Sequence, residues 1–245
     1  MVKRLFDISI ALTLVFIFSP FLVIFAFLIW KQDFQSPFYI APRVGKNEIL
    51  FNMIKFRSMV VNADKSGVDS TSASDSRITP LGSFIRKYKI DELPNFFNIL
   101  KGEMSFVGPR PNVKRETDLY TDQEKKLLTV QPGITDFASI VFSDEGDILE
   151  GSSNPDLLYN QLIRPWKSRL GLFYINERSI LMDIQLMALT AFAIISKSKS
   201  LVYINKILKK YSADEELIII SLRDQPLSPH PPPGSNSIVT NREVN

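Results

Sequence analysis

Between Ile8 and Trp30 the chain carries no ionisable side chain, and the run is framed by Lys3, Arg4 and Asp7 before it and Lys31 after it. As an α-helix it would be roughly 34 Å long at about 1.5 Å per residue, enough to cross the hydrocarbon core of a bilayer. A cleaved signal peptide fits poorly, because the run is long and no small-x-small cleavage site follows it. A spanning helix and a re-entrant hairpin remain. Ser19-Pro20 lies mid-run. Pro20 has no N–H for the Phe16 carbonyl and its ring crowds that carbonyl, so the helix should kink there. The Ser19 hydroxyl can satisfy a freed backbone group, which makes a break tolerable in lipid. Each half would be about 17 Å long, enough to reach mid-bilayer and return. Basic residues at both ends suit two cytoplasmic ends. The expectation is a re-entrant membrane anchor over residues 1–31, broken at Ser19 and Pro20, with a kinked spanning helix as the alternative.

The rest of the chain is long enough for one further domain. It has no cysteine, which excludes disulfides, thiolate zinc sites and a cysteine nucleophile. The single histidine, His230, lies in PLSPHPPPGSNS, a stretch too rich in Pro and Ser to build a core of its own. Any nucleophile should therefore be a carboxylate, a hydroxyl or a lysine. Charge is uneven: residues 1–115 hold 16 Lys+Arg against 9 Asp+Glu, and the remainder holds 13 against 17. A basic half beside an apolar anchor points to anionic lipid, anionic substrate or both.

Local patterning predicts an α+β fold. Residues 36–60 read as a β-hairpin turning at Val44–Asn47. Residues 62–76 read as a polar loop. A short helix is expected over Pro80–Lys89, and a second one beginning at Asp91 as N-cap and stopping at Gly102. Val107–Pro111 reads as rigid and extended. A helix over 115–130, a strand over ASIVF (138–142) and helices over 156–195 with a break at Pro165 follow. Leu181–Ile195 is apolar but too short to span, and residues 200–211 form a basic amphipathic stretch suited to a membrane surface or an ordinary solvated face. The expected division is an anchor (1–31), a mainly helical catalytic domain (32–212) and a tail (213–245), disordered from about residue 224.

The acid pair Asp91-Glu92 is the strongest chemical candidate. At a helix start a carboxylate would face unpaired N–H groups, remain ionised and stay nucleophilic. Lys55, Arg57, Arg77, Arg86 and Arg110 supply the positive charge that phosphoryl transfer needs around the phosphate oxygens. Arg110 lies between Pro109 and Pro111, so its backbone is pre-set. Glu92, with Asp91, could hold Mg²⁺. No P-loop or GxGxxG motif is present.

These residues carry a resemblance. FIRKYKIDELPNFFNILKGEMSFVGPRP is similar to the signature of the bacterial sugar transferase family, the monotopic polyprenyl-phosphate phosphoglycosyl transferases. KRLFDI, Ser19-Pro20, KFRSM, DSRITPLG and QPGIT follow in family order over roughly residues 1–200. The resemblance implies a re-entrant anchor on the cytoplasmic face of the bacterial inner membrane. It implies that Asp91 attacks the sugar-linked phosphate of a UDP-sugar, expelling UMP, and that the phosphosugar then passes to polyprenyl phosphate. Glu92 would assist with Mg²⁺, Pro109-Arg110-Pro111 would engage the uridine nucleotide, and Lys55, Arg86 and Asp183 would line the site. The implied partners are UDP-sugar, polyprenyl phosphate and membrane lipid, with no nucleic acid; homo-oligomers are common in general. Transfer through a ternary complex, with Asp91 only a metal ligand, and a non-catalytic membrane scaffold are the competing readings. Asp136-Phe137-Ala138-Ser139 departs from the Gly-x-Ala-Gln that many members carry, in a region expected near the sugar pocket.

Overall fold

The computed structural model describes residues 2–63, 71–72 and 74–241. Most of the expected 62–76 loop lies outside the described residues.

Helix α1 (Val2–Asp33) is one element of 32 residues that runs through Pro20. The expected interruption at Ser19-Pro20 is not a gap in the helix. The Ser19 hydroxyl donates to the Phe16 carbonyl at 2.8 Å, the same carbonyl that Pro20 cannot serve. By length and composition α1 is able to cross a membrane. Its middle is bare: Phe16, Ile17, Phe21, Val23, Ile24 and Phe27 are more than half exposed.

Strands β1 (Phe38–Val44) and β2 (Leu50–Phe56) pair antiparallel, Phe38 against Phe56 and Val44 against Leu50. Helix α2 (Pro80–Lys87) starts with Pro80 in its first turn behind Thr79, whose hydroxyl caps the Gly82 N–H at 2.9 Å. Helix α3 (Asn95–Lys101) ends at Gly102, which takes φ 86 in the left-handed region as expected of a stop signal. Strands β3 (Ser105–Val107) and β4 (Gly133–Thr135) pair parallel. The helices α4 (Lys114–Thr117), α5 (Phe137–Val141), α6 (Glu145–Ile148), α7 (Pro155–Leu162), α8 (Arg164–Glu177), α9 (Ile180–Ile195), α10 (Lys197–Lys210) and α11 (Glu215–Ile220) complete the chain. The α+β expectation therefore holds as a mainly helical fold with two small sheets.

Two local expectations change. The single helix over 115–130 is α4 followed by a 3-10 segment, Glu124–Thr129. The ASIVF strand is instead α5: the Asp136 carboxylate accepts from the Ser139 N–H at 2.7 Å and nucleates a helical turn, leaving Gly133–Thr135 as the strand.

The main core gathers Met53, Phe96, Ile99, Phe106, Phe137, Ile140, Leu170, Tyr174, Leu186 and Ile204 from the hairpin, α3, β3, α5, α8, α9 and α10. Ala11 of α1 enters this core, while Ile29 packs with Phe56 and Ile85 in a second cluster. Residues from both halves of α1 thus pack against the rest of the fold.

The segment after Asp224 makes several bonds to α7 and α8. His230 N–H donates to the Gln161 carbonyl at 3.0 Å, Gln161 donates to the Val239 carbonyl at 2.8 Å, and Arg169 donates to the Pro231 carbonyl at 2.9 Å. The His230 ring lies 4.4 Å from that of Trp166. Composition shows that this segment cannot make a core; it does not exclude a proline-stiffened strap that borrows one, and stiffness lowers the entropy lost on docking.

Candidate active site

Asn98 sets the position of the acid pair. This fully buried side chain donates to the Asn52 carbonyl at 2.8 Å and accepts from the Ile54 N–H at 3.0 Å, locking α3 to β2. Lys55, the next residue on the strand, then faces the turn that precedes α3. A second lock fixes Arg110. β3 and β4 approach so closely that a Cβ on Gly133 would lie 2.2 Å from the Gly108 nitrogen. Glycine is required at both crossing points, and the segment Pro109–Pro111 leaves β3 in a fixed direction.

Asp91 and Glu92 occupy the 3-10 turn Ile90–Glu92, after Lys89 with φ 57. Asp91 is therefore not the N-cap of α3; that position falls to Pro94. Proline is tolerated only in a first turn, so the helix starts behind it. The expected stabilisation of the Asp91 carboxylate by a helix N-terminus is absent.

Both acids are buried, and their surroundings differ. Glu92 receives Lys55 Nζ at 2.9 Å and the guanidinium of Arg110, which spans both oxygens. Burial alone would raise the Glu92 pKa, but the charges of Arg110 and Lys55 outweigh it and hold the carboxyl well below its ordinary range. Burial raises the Asp91 pKa; Lys55 offsets part of that effect and the neighbouring Glu92 charge adds to it. Asp91 Oδ1 is buried without a hydrogen-bond partner. Such an orphan is uncommon and calls for a ligand, a solvent molecule or a reaction.

A cavity of about 950 Å³ opens at Asp91. Lys55, Arg57, Arg77, Arg86, Arg110 and Pro111 line it, so the expected cations converge on one space. They are not equivalent. Arg57 is bound by both oxygens of Asp33 at 2.6 Å and by the Ser36 carbonyl, so it serves the anchor's exit. Arg77 is gripped by Asp75. The Arg86 side chain has no hydrogen bond or ion pair among the described residues, which leaves its charge available.

Two expected site residues lie elsewhere. Pro109 is buried behind the loop, its carbonyl accepting from the Gly133 N–H at 3.0 Å. Asp183 is not in the cavity lining; it accepts from Tyr174 at 2.6 Å and pairs with Lys3 at 2.5 Å, holding the start of α1 to α9. A buried acid on an apolar helix is explained by that pairing. Conversely, Glu145, Tyr159 and Lys167 line the cavity and were not picked out by the sequence reading. They lie on three separate helices, and nothing in their spacing brings them together.

The carboxylates offer oxygen donors that suit a hard divalent cation. Asp91 Oδ1 is free to take that role, whereas Glu92 could join only by giving up Lys55 or Arg110. No group of three or more His, Asp or Glu side chains forms a cation cage among the described residues, so remaining ligands would come from substrate oxygens and water.

A model of the family described as bacterial sugar transferase matches residues 1–197. The chain belongs to the bacterial sugar transferase family. The undecaprenyl-phosphate glucose phosphotransferase of Komagataeibacter xylinus is 37% identical over 196 residues, covering 77% of this chain and 35% of that protein. The UDP-N-acetylgalactosamine-undecaprenyl-phosphate N-acetylgalactosaminephosphotransferase of Aeromonas hydrophila is 38% identical over 150 residues, 60% of this chain and 35% of that protein. The undecaprenyl-phosphate galactose phosphotransferase of Salmonella typhimurium is 39% identical over 148 residues, 54% of this chain and 31% of that protein. The chain spans about a third of the length of these relatives. Their names carry three different sugars, so family membership does not specify a donor.

Within the sugar transferase match, the Asp136–Ser139 departure has a local account. Asp136 is buried, outside the cavity lining, and its Oδ1 accepts from both the N–H and the hydroxyl of Ser139 at 2.7 Å. The two changed positions satisfy each other. The docked tail lies beyond the matched residues.

Proposed function

We propose that this sugar transferase moves a sugar 1-phosphate from a UDP-sugar to polyprenyl phosphate on the cytoplasmic face of the bacterial inner membrane, a first membrane step in surface glycan synthesis. The unpartnered Asp91 Oδ1, buried at the head of a cation-lined cavity, carries this reading.

The reaction has two displacements at one phosphorus. An Asp91 oxygen attacks the sugar-linked phosphorus, the bond from that phosphorus to the bridging oxygen breaks, and UMP leaves with the electron pair. An oxygen of polyprenyl phosphate then attacks the same phosphorus and expels the Asp91 carboxylate, giving polyprenyl diphosphate sugar. Arg86 is placed to balance phosphate charge. Lys55 and Arg110 are already half-neutralised by Glu92, so they add directed donors without an excess of cation. Desolvation removes the hydrogen bonds that would blunt the Asp91 carboxylate as a nucleophile. Mg²⁺, with Asp91 and Glu92 as its candidate protein ligands, would supply further charge neutralisation at the phosphates.

The seating of α1 supports a re-entrant anchor. Lys3 pairs with Asp183, Arg4 donates to the carbonyls of Ile99 and Leu100, and Asp33 pairs with Arg57. Both ends of the helix are thus tied to one body. A straight crossing would place them on opposite faces, roughly 30 Å of hydrocarbon apart. A bend at Ser19-Pro20 keeps both ties and sets the cavity at headgroup level, where the lipid phosphate lies.

The ternary-complex reading draws on the same orphan oxygen, with Asp91 as a metal ligand only. Incubation with UDP-sugar in the absence of lipid acceptor separates the two: UMP release with a phosphosugar on Asp91 is expected, and no adduct despite lipid-dependent turnover would favour the ternary complex.

A further inference from the structure

We infer that Glu145, Tyr159 and Lys167 form the wall that reads the hydroxyl-bearing part of the soluble donor, as distinct from its phosphates and from the lipid acceptor. This inference rests on the transferase reading above.

The cavity lining has two chemically different parts. One rim is made by Gln35, Ser36 and Phe38, which follow directly from α1, and by Arg57, tied to the last residue of α1. That rim faces the anchor and is where a lipid-borne phosphate would arrive. Another part of the lining comes from α6, α7 and α8, and its residues bond to one another rather than to α1. Lys167 Nζ pairs with Glu145 and lies 5.4 Å from the centre of the Tyr159 ring. The Lys167 side chain is 16% exposed and that of Glu145 31%, and both border the cavity.

Charge separates this wall from the phosphate site. Glu145 and Lys167 neutralise each other, so the wall offers fixed donors and acceptors with no net charge. That suits neutral hydroxyl and amide groups and adds little for phosphate. The largely buried Tyr159 ring backs the wall and holds the Lys167 ammonium over its face. The wall also lies on the reactive side: Glu145 feels the charges of Arg110 and Lys89, the same cations that act on Glu92. A donor whose phosphorus meets Asp91 would therefore extend its sugar or its ribose along α6–α8.

The test is steady-state and half-reaction kinetics on the full-length protein in lipid nanodiscs, with Lys167→Met, Glu145→Gln and the conservative Lys167→Arg. Wild-type UMP release is the control for the underlying reading; without it that reading fails, whatever the variants do. With it, Lys167→Met and Glu145→Gln should raise the donor KM about tenfold, the equivalent of one directed hydrogen bond. The polyprenyl phosphate KM and the melting temperature should stay near wild type, and Lys167→Arg should recover part of the loss. Inhibition by UMP locates the contact: an unchanged UMP inhibition constant assigns the wall to the sugar, and a parallel rise assigns it to the ribose. A change in the lipid KM alone, or unchanged KM values for both substrates, would overturn the inference.

Discussion

Asp91 and Glu92 are adjacent and almost equally buried, but Glu92 is held by Lys55 and Arg110 while Asp91 Oδ1 touches no donor. Under the proposed reaction the pair divides its work: one acid anchors the cations, and the other is left unpaired for reaction at the cost of its own solvation. Burial raises the Asp91 pKa, so folding disfavours its ionised form; the penalty grows as pH rises past the unfolded value and is complete above the folded one. Asp91→Asn removes that penalty. We expect no UMP release and a melting temperature equal to or above wild type at pH 7; a clear drop in melting temperature would show that Asp91 has a structural partner.

Glu92 has the opposite sign. Its folded pKa is lowered, so its contribution to stability is present above the unfolded value of about 4.3 and is lost as pH falls through the lower folded value. Glu92→Gln leaves the largely buried Lys55, and Arg110 whose side chain is 36% exposed, without their counter-charge. A loss of about 1–2 kcal/mol at pH 7 is expected in chemical denaturation, below the cost of breaking a fully buried pair because solvent screens Arg110. The gap between wild type and variant should narrow in acid; a gap that widens would contradict the assignment.

The absence of cysteine makes the anchor testable without background labelling. Single cysteines at Val2 and Gln35 should both resist a membrane-impermeant thiol reagent applied to intact spheroplasts and react after permeabilisation. Labelling of the Val2 position from outside would establish a spanning helix and break the Lys3–Asp183 tie as a feature of the membrane-bound protein.

The tail makes a separate prediction. Truncation after Leu222 removes the bonds to Gln161, Arg169 and Thr121 and the ring contact with Trp166. At roughly 1 kcal/mol per hydrogen bond, the loss should be about 2–4 kcal/mol. Hydrogen exchange should accelerate in α7 and α8, while α1 and α3 keep their protection; uniform exchange across the chain would argue that the tail contributes nothing to this face.

Much of this was legible because local signals and tertiary demands agree. The apolar run, the hairpin and the Gly102 stop each follow from residue chemistry over a few positions. Other features were hidden for physical reasons. A 3-10 turn and a helix start look alike in DELPN until Pro94 decides where the hydrogen-bonded ladder begins. Asp183 was expected in the cavity because the family resemblance implies it; its partners, Lys3 and Tyr174, lie far from it in sequence or on another helix. The Glu145–Lys167 pair carries no motif, since its two residues belong to different helices. The tail's bonds were hidden because low apolar content limits what a segment can bury by itself and leaves open what it can rest upon.

The most direct test of the central claim is intact-protein mass spectrometry after incubation with a UDP-sugar and no lipid acceptor. The account predicts a mass increase of one sugar phosphate, mapped to Asp91, absent in Asp91→Asn and discharged on addition of polyprenyl phosphate. An adduct on another residue, or full lipid-dependent turnover by Asp91→Asn, would contradict it.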